Sequence, residues 1–258
     1  MSDNNQPNEA QYLFDKRVTC AICDKEFKNK VVKTGKARFL GTDEDLRPKY
    51  SNLDTIKYDV YMCPYCGYAS VSREFDNVTP KQRLLLKAEV CNHQFGKNNV
   101  TKDIGYYNYD MAIARYKRAL LIAVKKPSKI SECSYLRLKI AWLNRSMYEE
   151  IIKDKEEEAL TEEEKANYDK YRSEEESYLK EAYEGFVEAL LKEYPPICGM
   201  DECTFNYLMS VLSYKNEEYD NALRFGYDVI QSINASSKLK DKQRDLLDKL
   251  KDIKKGEN

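Results

Sequence analysis

Apolar and polar positions follow two rhythms along the chain, and the change of rhythm falls near residue 79. From Arg17 to Phe75 the apolar positions come in short runs broken by turn residues. Val31-Val32 and Ala37 to Leu40 flank Thr34-Gly35-Lys36, which reads as a turn joining two strands. Ile56 to Met62 alternates apolar and polar residues and runs directly into Cys63, as a half-buried strand would. Pro48 falls where an irregular connection is expected. After Thr79-Pro80, a helix cap followed by proline in the first turn, the spacing becomes helical. It predicts helices near 80–97, 107–125, 131–158, 161–194, 201–215, 217–234 and 237–254, separated by Lys126-Pro127-Ser128, Pro195-Pro196 and Asn234-Ala235-Ser236. The expected organisation is a disordered leader over 1–15, a β-rich module over 16–78 and an α-helical domain over 79–258. The fold class is therefore α+β and mostly α.

The helical part repeats itself. Ala112, Tyr116 and Ala119 are spaced by four and three, Ala182, Phe186 and Ala189 reproduce the spacing, and Ala222, Gly226 and Val229 give a weaker third copy. A small residue that lets paired helices approach, with an aromatic filling the gap between neighbours, is the pattern of a tetratricopeptide-like second helix. Each copy would pair with an upstream helix: Leu84 to Gln94, Tyr135 to Met147 and Phe205 to Ser213. An ordinary helical bundle would also place apolar residues at such intervals. The segment 148–176 is dense in Glu and Lys and reads as a solvated, antiparallel extension of the two helices beside it, or as an acidic docking surface. The tail from Lys238 to Lys255 carries Leu239, Leu246, Leu247, Leu250 and Ile253 on one side, as a helix capping the array would.

Composition narrows the class. With 42% hydrophobic and 34% charged residues the chain suits a soluble, helix-rich protein, and a net charge of −1 gives the whole no electrostatic pull toward nucleic acid or anionic lipid. The longest apolar stretch, Ala119 to Val124, is too short to cross a bilayer, and Met1 to Ala10 has no basic-then-apolar export signal. The expected location is the cytoplasm, where the eight cysteines are reduced.

Four of those cysteines carry the clearest chemistry. Cys20-Ala-Ile-Cys23 and Cys63-Pro-Tyr-Cys66 are two C-x-x-C knuckles, and two knuckles close a tetrahedral all-thiolate site suited to one structural zinc ion. Gly67 after the second can take positive φ, and Asp24, its counterpart after the first, tolerates it better than most residues. The knuckles are 39 residues apart. Doubling a flexible loop costs about 0.6 kcal/mol, against on the order of 10 kcal/mol from structural zinc, so ligation outweighs the span. A dithiol redox switch is the rival, but neither pair opens a helix within a βαβ pattern. Four cysteines also close the coordination shell that a catalytic zinc keeps open. Cys91, Cys133, Cys198 and Cys203 read as small buried hydrophobes, and His93, the single histidine, as a satisfied or partly exposed helix residue rather than part of a second metal site with Cys91.

Cys20-Ala-Ile-Cys23-Asp-Lys-Glu-Phe27, with Tyr58-Asp-Val-Tyr61-Met-Cys63-Pro-Tyr-Cys66-Gly67-Tyr68-Ala69, resembles the bacterial domain-of-unknown-function family numbered 2225. The resemblance spans nearly the whole chain. It implies four metal-ligating cysteines at these positions and a zinc-ribbon-like module joined to tetratricopeptide-like helices, and it implies no reaction.

Three functions follow as expectations. The first is a non-enzymatic adaptor that binds a protein or peptide on its helical repeats, with stretches such as Tyr106-Tyr107-Asn-Tyr109 serving as interface anchors or as packing. The second is a nucleic-acid-binding module, because Lys25, Lys28, Lys30, Lys33, Lys36 and Arg38 surround Phe27 and Phe39; lysines on exposed strands also protect against edge pairing. An enzyme is third, since no phosphate-cradling loop, nucleophile elbow or metalloprotease helix is present.

Overall fold

The computed structural model describes residues 9–91, 95, 105–153 and 155–256. Three antiparallel strand pairs come first: β1 (Leu13–Thr19) with β2 (Glu26–Val32), β3 (Phe39–Thr42) with β4 (Pro48–Tyr50), and β5 (Val60–Met62) with β6 (Ala69–Val71). Among the described residues seven α-helices follow: α1 (Pro80–Glu89), α2 (Tyr109–Lys125), α3 (Ile130–Ile151), α4 (Glu162–Leu190), α5 (Glu202–Lys215), α6 (Tyr219–Gln231) and α7 (Ser237–Gly256). The expected α+β class, small strand pairs leading into a helical array, is what the chain forms.

Local chemistry sets the helix starts. The Thr79 hydroxyl accepts from Gln82 N–H while the Gln82 side chain accepts from Thr79 N–H, and Thr161 with Glu164 repeats this capping box. Asn108 and Asp201 cap α2 and α5. Residues expected to extend the first helix to 97 lie mostly outside the described residues, as does His93.

The strand region departs from expectation in four places. The leader is ordered from Glu9: a 3-10 turn (Glu9–Tyr12) enters β1, Leu13 is buried with Leu53, Tyr58 and Tyr107, and the Glu9 carboxylate accepts from Lys57 Nζ at 2.6 Å and Tyr58 Oη at 2.5 Å. Residues 1–8 lie outside the described residues. Gly35, with φ +72°, does make a turn, but the strands on either side belong to different sheets because β2 is already paired with β1. The predicted strand over Ile56 to Met62 is half 3-10 turn (Thr55–Tyr58), since the Asp54 side chain accepts from Ile56 N–H at 2.9 Å; Lys57, on the supposed polar face, is buried against Glu9. Pro48 opens β4 rather than a loop, at a position where a strand tolerates a missing N–H.

Packing joins strands and helices into shared cores. Ile56, Val60, Ala69 and Val71 from the strand region pack with Ala112, Tyr116, Leu136 and Phe186 from the helices. α3 runs against α4 and α5 against α6, a pairing that the repeat and an ordinary helical bundle share. The partner expected for the first copy lies partly outside the described residues; among those described, α2 lays its face on β5, β6 and α3, and Leu86 of α1 joins Ile122 in the cluster around the cysteines. Ala112, Ala182, Phe186, Ala189, Ala222 and Val229 are all fully buried. A Cβ on Gly185 would lie 2.3 Å from Ser134 Oγ, which shows how closely α3 and α4 approach. Leu246, Leu247 and Leu250 of α7 close the far end against Tyr207, Val211 and Val229.

The segment 148–176 is less solvated than its composition suggests. Tyr148 Oη donates to the buried Glu175 at 2.6 Å, and the Tyr148 and Tyr168 rings meet edge to face at 5.4 Å. Glu175 also accepts from Arg145 Nε at 2.6 Å, and Arg145 grips the fully buried Asp45 of the β3–β4 turn with two bonds of 3.0 and 2.5 Å.

Candidate metal centre

Each C-x-x-C unit is the turn of a β-hairpin. Cys20 N–H donates to Lys25 O at 3.0 Å and Asp24 N–H to Cys20 O at 3.0 Å, between β1 and β2. Cys63 N–H donates to Tyr68 O at 2.8 Å and Gly67 N–H to Cys63 O at 3.0 Å, between β5 and β6. Asp24 and Gly67 stand at matching positions with φ +61° and +75°. At Gly67 the need for glycine is twofold, because a Cβ there would also lie 2.6 Å from the Phe95 ring and 2.7 Å from the Arg118 guanidinium.

The two hairpin turns face each other and bring together the four predicted ligands, Cys20, Cys23, Cys63 and Cys66. Cys20 Sγ is 3.6 Å from Cys66 Sγ, Cys23 Sγ is 3.6 Å from Cys63 Sγ, and all four sulfurs lie within 4.8 Å of one another. A tetrahedral ion with metal–sulfur bonds of about 2.3 Å has sulfur–sulfur edges of roughly 3.8 Å, so the donor set is sized for a single ion. Ile22 N–H points at Cys20 Sγ from 3.4 Å, a contact that disperses thiolate charge.

The thiols perturb one another strongly. Cys20 is pushed up to about 12, chiefly because it shares its proton with Cys63. In Cys63 the bond with Cys20 favours the thiolate, but the bond with Cys66 and burial outweigh it, and the group also rises to about 12. Cys66 is pushed up as well, first by Cys20. Of the four, Cys23 is held below the ordinary thiol value: burial opposes ionisation there, and the Lys25 N–H and neighbouring thiols overcome it. Four thiolates cannot coexist at this spacing without a cation to compensate them.

Around the sulfurs stands an aromatic wall the sequence did not announce. Phe75 packs on Phe27, Tyr61 and Tyr68 with centroids 5.9, 5.7 and 4.9 Å away, and Tyr68 Oη donates to Phe75 O at 3.0 Å. Phe27, expected to stack on bases, is buried in this wall. Arg118 ties the second knuckle to the end of α1 by donating to Gly67 O at 2.7 Å and Val90 O at 2.9 Å. Cys91, read as an inert hydrophobe, is buried against Cys66, and that hydrogen bond lowers its pKa. Arg118 comes from α2 and Cys91 from just past the end of α1, so no local spacing pointed to them. Cys198 and Cys203 instead bond Ser131 O and Ser232 Oγ, at 3.2 and 3.1 Å.

Fold and site together define a class: an α+β protein in which two cysteine-bearing β-hairpins form a four-sulfur centre able to hold one metal ion, built onto a helical array. The chain belongs to the family described as an uncharacterized protein conserved in bacteria, DUF2225, whose model matches residues 13–250. Neither the curated proteins nor the solved structures provide a match to the chain. No helix among the described residues is long and apolar enough to cross a membrane.

Proposed function

We propose that this protein is a non-enzymatic adaptor of the cytoplasm. Cys20, Cys23, Cys63 and Cys66 hold one structural zinc ion, and its tetratricopeptide-like helices present a docking site for a protein or peptide partner. The observation that carries the reading is a cleft of about 820 Å³ where the strand region, the start of α1, the start of α3 and the loop after α4 meet. Its walls combine apolar surface from Tyr135, Pro127 and Pro196 with Arg73 and Lys129. The loop beside it exposes Leu191 and Tyr194 almost completely, at 81% and 89%. Exposed aromatic and aliphatic anchors next to a partly polar cleft are what an extended peptide uses.

The polar groups in the cleft are engaged in holding it together. Glu193 accepts from Ser131 N–H at 3.1 Å and from Ser131 Oγ, Lys126 pairs with Glu132 at 2.9 Å, and Arg73 donates to Cys198 O at 3.0 Å while lying over the Tyr135 ring. That arrangement supports a scaffold rather than a reaction centre.

Site-specific photocrosslinking tests it. A photoreactive side chain at Lys129 should capture a partner polypeptide in cells, one at Lys240 on α7 should not, and Tyr135→Ala should abolish the capture. Equal capture from both positions, or none from Lys129, contradicts the reading.

A further inference from the structure

A second surface, sharing no lining residue with the cleft, lies on the strand region. Between residues 25 and 38 the chain carries six basic residues and one acidic one. Lys30 is neutralised by Asp15 at 2.7 Å, and Lys25 lies over the Tyr65 ring. Lys28, Lys36 and Arg38 are exposed and make no ion pair among the described residues. The pairing of β1 with β2 also sets Arg17 directly across from Lys28, both exposed. Like charges facing each other across a strand pair destabilise it, and an anion lying over them would relieve that repulsion.

The basic run leads straight into exposed apolar surface. Phe39 and Leu40 are 56% and 62% exposed at the start of β3, and the Phe39 ring meets Tyr50 edge to face at 5.6 Å. This segment is held in place: the Asn52 side chain accepts from Arg38 N–H at 3.2 Å and donates to Lys36 O at 2.5 Å, and Ser51 N–H donates to Arg38 O at 3.1 Å. Cations and an aromatic face are thus presented in a fixed relation, with little ordering left for binding to require.

We propose that this edge, Arg17 and Lys28 through Arg38 with the Phe39–Tyr50 ring pair, binds single-stranded nucleic acid. The cations match backbone phosphates, and the exposed ring offers a platform for an unpaired base. Segment 148–176 holds thirteen acidic and five basic residues, and its Glu149 and Glu150 line the recess beside Leu40 and Tyr50, so a strand is repelled there and held to the Lys36–Arg38 side of the ring pair. The surface is separate from the cleft between strands and helices, so it stands or falls independently of the adaptor reading.

Fluorescence anisotropy of the zinc-loaded full chain with a labelled single-stranded oligonucleotide of about 12 residues decides it, alongside flotation with vesicles of phosphatidylglycerol and phosphatidylcholine. Binding should weaken about tenfold in Phe39→Ala with the salt dependence unchanged. In Lys36→Glu/Arg38→Glu the slope of log affinity against log salt should become shallower by about 1.4, the loss of two phosphate contacts. All three side chains are exposed, so zinc content and circular dichroism should stay as in the parent and separate lost binding from lost folding. Absence of oligonucleotide binding at low salt, equal binding by parent and variants, or vesicle binding without oligonucleotide binding would each overturn the proposal; the last would give the surface to an anionic membrane.

Discussion

At the scale of single residues, the four sulfurs make the centre able to hold a metal ion. The thiols of Cys20 and Cys63 rise to about 12 and that of Cys66 rises too, so these three are protonated at neutral pH in the metal-free chain. A metal ion binds thiolates and must displace those protons. The raised groups keep their protons below their folded values, so three protons at least must leave on binding, and apparent metal affinity should climb with pH by at least about three decades per unit across the neutral range. Competition against a chromophoric chelator at several pH values measures this directly; an affinity independent of pH would contradict the assignment. Much of the centre was legible from spacing alone, because a C-x-x-C knuckle is a local structure and Gly67 and Asp24 mark where each must turn. Arg118 and Cys91 were not legible, since tertiary packing delivers them to Gly67 and Cys66 from α2 and from the residue past the cap of α1, which carry no signal of their own.

At the scale of elements, the helices were easier to read than the strands for a physical reason. Helix starts at Pro80, Glu162 and Glu202 are fixed by caps one residue earlier, in Thr79, Thr161 and Asp201. The β3–β4 hairpin, with strands of four and three residues, is fixed by contacts far away in sequence. Asp45 in its turn bonds Arg145, 100 residues on, and Arg47 grips Glu149 at 2.6 and 2.7 Å. Arg145 also neutralises Glu175, so Arg145→Ala would strand two buried carboxylates. Breaking a buried pair by removing one partner costs about 3–5 kcal/mol. Urea unfolding of Arg145→Ala should show a loss of that size, and a loss near zero would mean that the turn is not anchored through this arginine.

At the scale of the whole molecule, the strand region and the helical array hold each other. The β1–β2 and β5–β6 hairpins carry the sulfurs, α1 and α2 cover the second knuckle through Arg118, and the last helix returns to the β3–β4 turn, where Lys242 Nζ donates to Thr42 Oγ1 at 2.8 Å and Lys249 pairs with Glu44. The 3-10 turn and β5–β6 hairpin contribute Ile56, Val60 and Val71 to the core shared with α2 and α3. A metal that fixes the hairpins therefore also fixes the surface against which the helices pack. X-ray absorption and metal analysis of protein purified without chelators test that account most directly. They should find one zinc per chain with four sulfur neighbours at about 2.3 Å. A chain that is folded, metal-free and freely reactive at Cys20, Cys23, Cys63 and Cys66 would contradict it.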